Sequence, residues 1–85
     1  MVIETFKQGP GPVYERAARR GRMLPAGLDY VDSWVEEPGL GRCWQLMKTE
    51  DPSLFDEWTA AWADLADFEV VPVIDSATAS ARQPG

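Results

Sequence analysis

Two carboxylates of the sequence stand among aromatic residues on predicted strands, where a charge needs a partner or a special role. Asp32 lies between Tyr30 and Trp34 in an alternating segment, and aromatic neighbours of this kind keep water away from a charge. Burial against aromatic rings raises the pKa of a carboxyl group and makes it a general base near neutral pH. Asp32 is therefore the first candidate catalytic residue. A structural ion pair with Arg42, Lys48 or another subunit is the alternative.

Glu4 is the second candidate catalytic residue. It lies on a first strand that we expect in the centre of the sheet, next to the hairpin that carries Asp32. Two carboxyl groups that face one cavity can have split pKa values, so that one serves as acid and the other as base. A polar group at the mouth of a barrel is the alternative interpretation of Glu4.

The side chains around these carboxylates could bind an aromatic or carbonyl compound. Tyr30 offers a phenol, and Gln45 an amide that could orient a ligand or satisfy a carboxylate on the neighbouring strand. Trp34 and Phe6 offer flat surfaces for stacking, and Met47 extends the apolar surface. Packing of a dimer interface by the same side chains is the alternative.

Several other chemistries are excluded by residue type. The chain has no histidine and no asparagine, which removes the commonest general base, the commonest transition-metal ligand and the usual catalytic triads. Cys43 has no histidine to activate it and is expected to be a buried, inert thiol. Residues 9–12 (GPGP) have prolines where a phosphate loop needs free N–H groups. We therefore expect no metal ion and no cofactor.

The charge distribution argues against nucleic acid as a partner. Eight basic and 14 acidic residues give a net charge of −6, whereas phosphate contacts need a basic surface. Residues 1–24 carry +3 and residues 25–85 carry −9. The arginines at positions 16, 19, 20 and 22 are therefore expected to form the solvated face of a helix, attracted to acidic groups elsewhere. A patch that binds an anion or a nucleic acid is the alternative.

The length of 85 residues allows one hydrophobic core. We expect a single domain over residues 1–75 and a flexible or short helical tail over residues 76–85. No apolar run is long enough to span a membrane, and the first eight residues do not resemble a signal peptide. With one cysteine and no disulfide, the chain is predicted to be cytoplasmic.

The periodicity of the sequence predicts the order βαββαβ. Strands are predicted over residues 2–7, 28–36, 42–49 and 68–74 from their alternation. One helix is predicted between Pro12 and Leu24, and a second after Asp51-Pro52, where a carboxylate N-cap precedes proline at N1. Trp58 and Trp62 lie on the buried stripe of the second helix. This order is that of a ferredoxin-like α+β fold, with a four-stranded antiparallel sheet and two helices on one face.

The hairpin register decides which side chains share the open face of this sheet. A four-residue turn over residues 37–40 predicts the pairs Trp34–Cys43, Asp32–Gln45 and Tyr30–Met47, all on the open face with Glu4 and Phe6. The set predicted to face the helices is then Val31, Ser33, Val35, Trp44 and Leu46. A five-residue turn is the alternative, and it shifts the pairing by one and mixes the two sets.

An open face rich in aromatic side chains predicts a homodimer. Monomers rarely expose a large apolar patch, and a chain this short buries a limited fraction of its own surface. Two copies packed sheet to sheet about a two-fold axis would form a dimeric α+β barrel. A ligand cavity would then lie between the two sheets, wherever their packing is incomplete.

Three segments of the sequence are similar to a known family. GPVYERAARRGRMLPAGLDYVDSW, RCWQLMKTEDP and FDEWTAAWADLADFEVVPV resemble a family of short uncharacterised proteins, a domain of unknown function. That family is similar to the dimeric α+β barrel superfamily in the order of its strands and helices, and the resemblance runs from residue 2 to residue 74. Members of the wider superfamily include cofactor-independent monooxygenases, isomerases, dehydratases and haem-handling proteins, several of which use histidine or asparagine.

Two functions from different classes remain open from the sequence. The first is a homodimeric barrel that binds a small aromatic or carbonyl compound. Such a barrel could also act as an enzyme on that compound without a cofactor. The second is a non-catalytic module for dimerisation or docking of another protein. A third, RNA binding across the sheet, lacks both the basic charge and the sequence pattern of RNA-binding sheets.

Overall fold

The computed structural model describes residues 1–84, which form a four-stranded antiparallel sheet and three helices. The strands are β1 (Val2–Phe6), β2 (Asp29–Val35), β3 (Arg42–Lys48) and β4 (Ala66–Val70), and the helices are α1 (Pro10–Arg20), α2 (Leu54–Ala60) and α3 (Ser76–Ala81). The strand order is β2-β3-β1-β4, with every neighbouring pair antiparallel. The predicted ferredoxin-like α+β fold is confirmed.

Helix α1 begins and ends at residues that favour those positions. Pro10 and Pro12 occupy the first turn, where a missing N–H costs no hydrogen bond. The helix ends at Gly21, whose φ of +66° is accessible to glycine at little cost, and the Gly21 N–H donates to the carbonyl of Ala17 at 2.7 Å. The prediction extended this helix to Leu24, beyond the break.

The turn before α2 is organised by Asp51. Its Oδ1 accepts hydrogen bonds from the Ser53 amide at 3.0 Å and the Ser53 hydroxyl at 2.6 Å. The predicted helix start is therefore displaced by a few residues, with α2 itself beginning at Leu54. Trp58 and Trp62 are buried, as the stripe predicted.

Strand β4 lies at one edge of the sheet, as predicted from Pro72, which has no N–H for a ladder. The strand ends at Val70, two residues before this proline. After it, Asp75 caps α3 by accepting a hydrogen bond of 2.7 Å from the Thr78 amide. The last residue of the predicted tail, Gly85, lies outside the described residues.

The predicted hairpin register is wrong, and the five-residue alternative is correct. Trp34 pairs with Trp44, and Val35 pairs with Cys43. The loop spans residues 37–41, closed by a hydrogen bond of 2.8 Å from the Glu36 amide to the Arg42 carbonyl.

A bulge at Val31 restores the predicted pairing further along the hairpin. Tyr30 pairs with Met47 as predicted, yet Asp32 pairs with Leu46. The extra residue reverses the alternation of β2 between these two pairs. Tyr30 therefore faces the helices, whereas Asp32 and Trp34 lie on the open face.

The core lies between the sheet and the helices. It is formed by one face of β1 and β3, by Val13 of α1 and by Trp58 and Trp62 around α2. The buried residues are Val2, Phe6, Val13, Leu28, Cys43, Met47, Trp58, Trp62 and Ala66. Two polar side chains are buried among them, Glu4 and Gln45.

Candidate functional site

A cavity of about 230 Å³ lies between the sheet and the helices, on the face opposite to the one predicted. Strands β1, β2 and β3 form its floor, and α1, the loop after α1 and the α2 region form its walls. The lining residues are Glu4, Phe6, Val13, Tyr14, Ala17, Gly21, Arg22, Ser33, Val35, Cys43, Gln45, Trp58 and Trp62. The lining is therefore mainly apolar and aromatic, with a few polar groups, which is typical of small-molecule sites.

Glu4 and Gln45 form the polar centre of this cavity. They lie on the neighbouring strands β1 and β3, and only 5% of Glu4 and 6% of Gln45 is exposed. Gln45 donates a hydrogen bond of 3.1 Å from Nε2 to Oε1 of Glu4. Alternation along both strands points the two side chains to the helix side together with Phe6 and Cys43.

Burial controls the protonation of the titratable groups in the cavity. Loss of water raises the pKa of Glu4 to about 7, although the hydrogen bond from Gln45 and the positive charge of Arg22 partly oppose the rise. Glu4 is therefore present in both protonation states at neutral pH. The predicted burial of Cys43 is confirmed. Burial, with the nearby Glu4, raises the pKa of this thiol to about 11, which disfavours the reactive thiolate.

The loop after α1 is fixed to the core by two tryptophans. The indole Nε1–H groups of Trp58 and Trp62 both donate to the backbone carbonyl of Arg22, at 2.9 and 3.0 Å. The guanidinium carbon of Arg22 lies 3.6 Å from the centroid of the Tyr30 ring, a stacked cation–π contact. The Tyr30 hydroxyl in turn shares a hydrogen bond of 2.7 Å with Ser33.

The structure brings some of the predicted site residues together and separates others. Glu4, Phe6 and Gln45 line one cavity, and Tyr30 adjoins it through Arg22. Met47 is buried in the core without lining the cavity.

Asp32 and Trp34 lie on the open face as predicted, but not beside Glu4. The five-residue loop pairs Trp34 with Trp44 and Val35 with Cys43, so Gln45 and Glu4 lie on the helix side of the sheet. Asp32 is exposed, and its Oδ1 accepts a hydrogen bond from the Ser33 amide at 2.8 Å. The predicted burial of Asp32 between two rings, which was the argument for it as a general base, is absent.

The open face of the sheet carries an apolar surface that includes Trp34, as predicted, but not Phe6, Tyr30 or Met47. Register places Glu69, Ile3, Trp44 and Trp34 in one row across the four strands. Trp34 is 52% exposed, and the Arg42 guanidinium lies 5.0 Å from the Trp44 ring. The predicted position of Trp44 under the helices is therefore also wrong.

Sequence reasoning missed the contribution of Arg22, Ser33 and the two core tryptophans to the cavity. Arg22 was grouped with the other helix arginines. Two of those behave as predicted, since Arg16 binds Asp64 with two hydrogen bonds of 2.8 and 2.6 Å and Arg19 pairs with Glu15. Gly21, directly before Arg22, was the available signal, because a helix that stops there no longer holds the next residue on the helical face. Arg22 is exposed and at the same time lines the cavity.

Within residues 1–84, no group of three or more potential ligands from His, Cys, Asp and Glu could hold a metal ion. None of the helices in this part of the chain has the length and apolar character required to cross a bilayer.

Comparison with known protein families gives a match over almost the whole chain. A family model described as "Domain of unknown function (DUF3303)" matches residues 1–84. No curated protein and no solved structure matches the chain.

Proposed function

We propose that this chain, which belongs to the DUF3303 family of domains of unknown function, binds a small aromatic or carbonyl compound in the cavity around Glu4 and Gln45. The observation that carries the proposal is a buried carboxyl group in an otherwise apolar cavity of about 230 Å³. Burying such a group costs free energy unless it is satisfied, and one hydrogen bond from Gln45 leaves it further capacity for a ligand.

The walls suit a flat ligand. Phe6, Trp58 and Trp62 offer ring surfaces, and the small side chains of Ala17 and Ser33 leave room between them. Protonated Glu4 can donate a hydrogen bond to a ligand carbonyl, and ionised Glu4 can accept one from a hydroxyl.

The same carboxyl group also suits proton transfer without a cofactor. A general base works best with a pKa near the working pH, and burial raises the pKa of Glu4 to about 7. Glu4 could thus take a proton from a bound compound and return it to another atom of the same compound. Asp32 lies on the opposite face of the sheet, so we assign this role to Glu4.

Four tryptophans allow a direct test of ligand binding. Trp58 and Trp62 line the cavity, whereas Trp34 and Trp44 lie on the open face. We would record the indole N–H signals by ¹H–¹⁵N NMR while adding acetophenone or benzamide. We expect the signals of Trp58 and Trp62 to shift and those of Trp34 and Trp44 to stay. Shifts confined to the open face, or no shift at millimolar concentration, would contradict the proposal.

We further propose that two copies pair through the open face. Trp34, half exposed, lies in one row with Trp44 and Ile3, and burial of this surface favours association. A two-fold axis parallel to the strands would place β4 of one copy over β2 of the other. In this arrangement Ile3 on β1 of one copy would lie over Trp44 on β3 of the other.

The mass of the native species tests the pairing. We expect native mass spectrometry to give twice the 9.5 kDa of one chain, with any additional mass identifying a retained ligand. A species of 9.5 kDa at micromolar concentration would overturn the homodimer. A monomer would favour the alternative function, in which the open face binds a different protein and the chain is not an enzyme.

A further inference from the structure

We infer that the cavity selects compounds that carry a carboxylate, and that Arg22 is the residue that binds it. This inference rests on the proposed function and specifies its ligand class. Among the lining residues, Arg22 carries a guanidinium group and Glu4 carries a carboxyl group. The other lining residues carry no positive charge, so they give an anion no ion-pair partner.

The position of Arg22 is fixed at both its backbone and its side chain. Two buried indoles each use their N–H on the Arg22 carbonyl, and the guanidinium stacks on Tyr30 with a distance of 3.6 Å to the ring centroid. Stacking occupies the face of the guanidinium and leaves its N–H donors, which lie in the plane of the group, directed outward. A guanidinium held in this way loses little conformational entropy when it binds an anion.

The donors of Arg22 are also not used within residues 1–84. Arg16, Arg19 and Arg42 pair with Asp64, Glu15 and Glu36 respectively. Arg22 has no carboxylate within 4.0 Å in that range, although its charge is close enough to favour the ionised form of Glu4. Arg22 is thus an exposed cation that lines a mainly apolar cavity, and its lack of an ion-pair partner within residues 1–84 fits an anionic ligand.

The charges of the cavity match a ligand with one negative charge. With Glu4 protonated, Arg22 gives the cavity a net charge of +1, which a carboxylate neutralises. A flat apolar body can then lie between Phe6 and the tryptophans, with a polar atom at Glu4. The geometry points to an aromatic carboxylate as the ligand class.

The test compares charged and uncharged versions of the same compounds at pH 6. Benzoate, cinnamate and 1-naphthoate would be titrated beside their amides, with the indole signals of Trp58 and Trp62 as the readout. We expect at least one acid to bind about tenfold more tightly than its amide, a difference of about 1.4 kcal/mol. Arg22→Gln should remove this preference, and Arg22→Lys should keep part of it because the charge remains.

Arg20→Gln is the matched control, since it removes the same charge from the exposed end of α1, two residues away. It should leave every affinity unchanged, and an equal loss there would show general attraction to a basic surface and overturn the inference. Equal binding of acids and amides would overturn the carboxylate preference and leave the proposed cavity function intact. If none of the six compounds shifts Trp58 or Trp62, both proposals fail for this ligand class.

Discussion

The amide of Gln45 donates a hydrogen bond of 3.1 Å to the carboxyl group of Glu4 inside the domain, between the sheet and the helices. The two residues are 41 positions apart in the sequence. They meet because β1 and β3 are neighbours in the sheet, with Glu4 opposite Cys43 and Val2 opposite Gln45. Glu4 is therefore a buried titratable group whose protonation should change the stability of the chain, and whose pKa should depend on Gln45.

The first prediction concerns the pH dependence of stability. The pKa of Glu4 is about 7 in the folded chain, against 4.5 as its ordinary value. Between these values the folded chain keeps a proton that the unfolded chain has released. The free energy of unfolding should therefore fall as pH rises from 4.5 to 7, by an amount on the order of 1 to 3 kcal/mol. Glu4→Gln should lose this dependence.

Urea unfolding at pH 5, 6, 7 and 8, at one protein concentration, would measure the free energy of unfolding of the native chain and of Glu4→Gln. The other groups that face Glu4 are Gln45, Arg22, Tyr14 and Cys43. The pKa of Tyr14 is raised, and that of Cys43 is raised to about 11, so neither group titrates between pH 5 and 8. Glu50→Gln changes an exposed carboxylate and should keep the native pH profile. An unchanged pH profile in Glu4→Gln would show that Glu4 ionises normally.

The second prediction concerns the hydrogen bond itself. Gln45 stabilises the ionised form of Glu4, so Gln45→Met should raise the pKa of Glu4 above about 7. Titration of the Glu4 side-chain carbon signal by ¹³C NMR would measure the shift. Leu46→Met, on the same strand with its side chain on the opposite face, should leave this pKa unchanged. A fall of the pKa in Gln45→Met would contradict the donor role of the amide.

The third prediction uses two neighbouring alanines of α1. Ala17 lines the cavity, whereas Ala18 is exposed. Ala17→Leu should fill part of the cavity and abolish the ligand-induced shifts of Trp58 and Trp62. Ala18→Leu should bind ligand as the native chain does, because leucine and alanine have similar helix propensities. Retained binding in a folded Ala17→Leu variant would place the ligand elsewhere.

The fourth prediction concerns the open face. Trp34→Ala removes a large exposed ring and should dissociate the proposed homodimer, raising its dissociation constant at least tenfold, since a buried ring contributes more than 1.4 kcal/mol. Analytical ultracentrifugation over a concentration series would measure the change. Val73→Ala truncates another exposed apolar residue, beyond β4, and should have no effect. Equal dissociation constants in both variants would exclude Trp34 from the interface.

Ligand binding and pairing should be separable in these variants. Trp34→Ala leaves the cavity lining intact, and we expect it to keep the shifts of Trp58 and Trp62 on ligand addition. Loss of binding in the monomeric variant would show that the second copy contributes to the cavity.

The sequence determined the elements of the domain and their order, because these depend on local preferences. Alternation defined the strands, the prolines and glycines marked their ends, and helical spacing identified Trp58 and Trp62 as buried. Glu4, Phe6 and Gln45 were recognised as one group because alternation fixes the shared face of two paired strands. These features required no knowledge of distant contacts beyond the pairing of β1 with β3.

Only the tertiary structure decided which face this group lies on and what surrounds it. One residue more in the hairpin loop placed Asp32 and Trp34 on the opposite face from Glu4, and the bulge at Val31 returned Tyr30 to the face of Glu4. Neither feature has a local sequence signal as strong as the alternation that it interrupts. The role of Arg22 depends on two indole hydrogen bonds across 36 and 40 residues. Such contacts are set by packing, since a side chain that must satisfy its N–H in the core takes whichever carbonyl the fold brings to it.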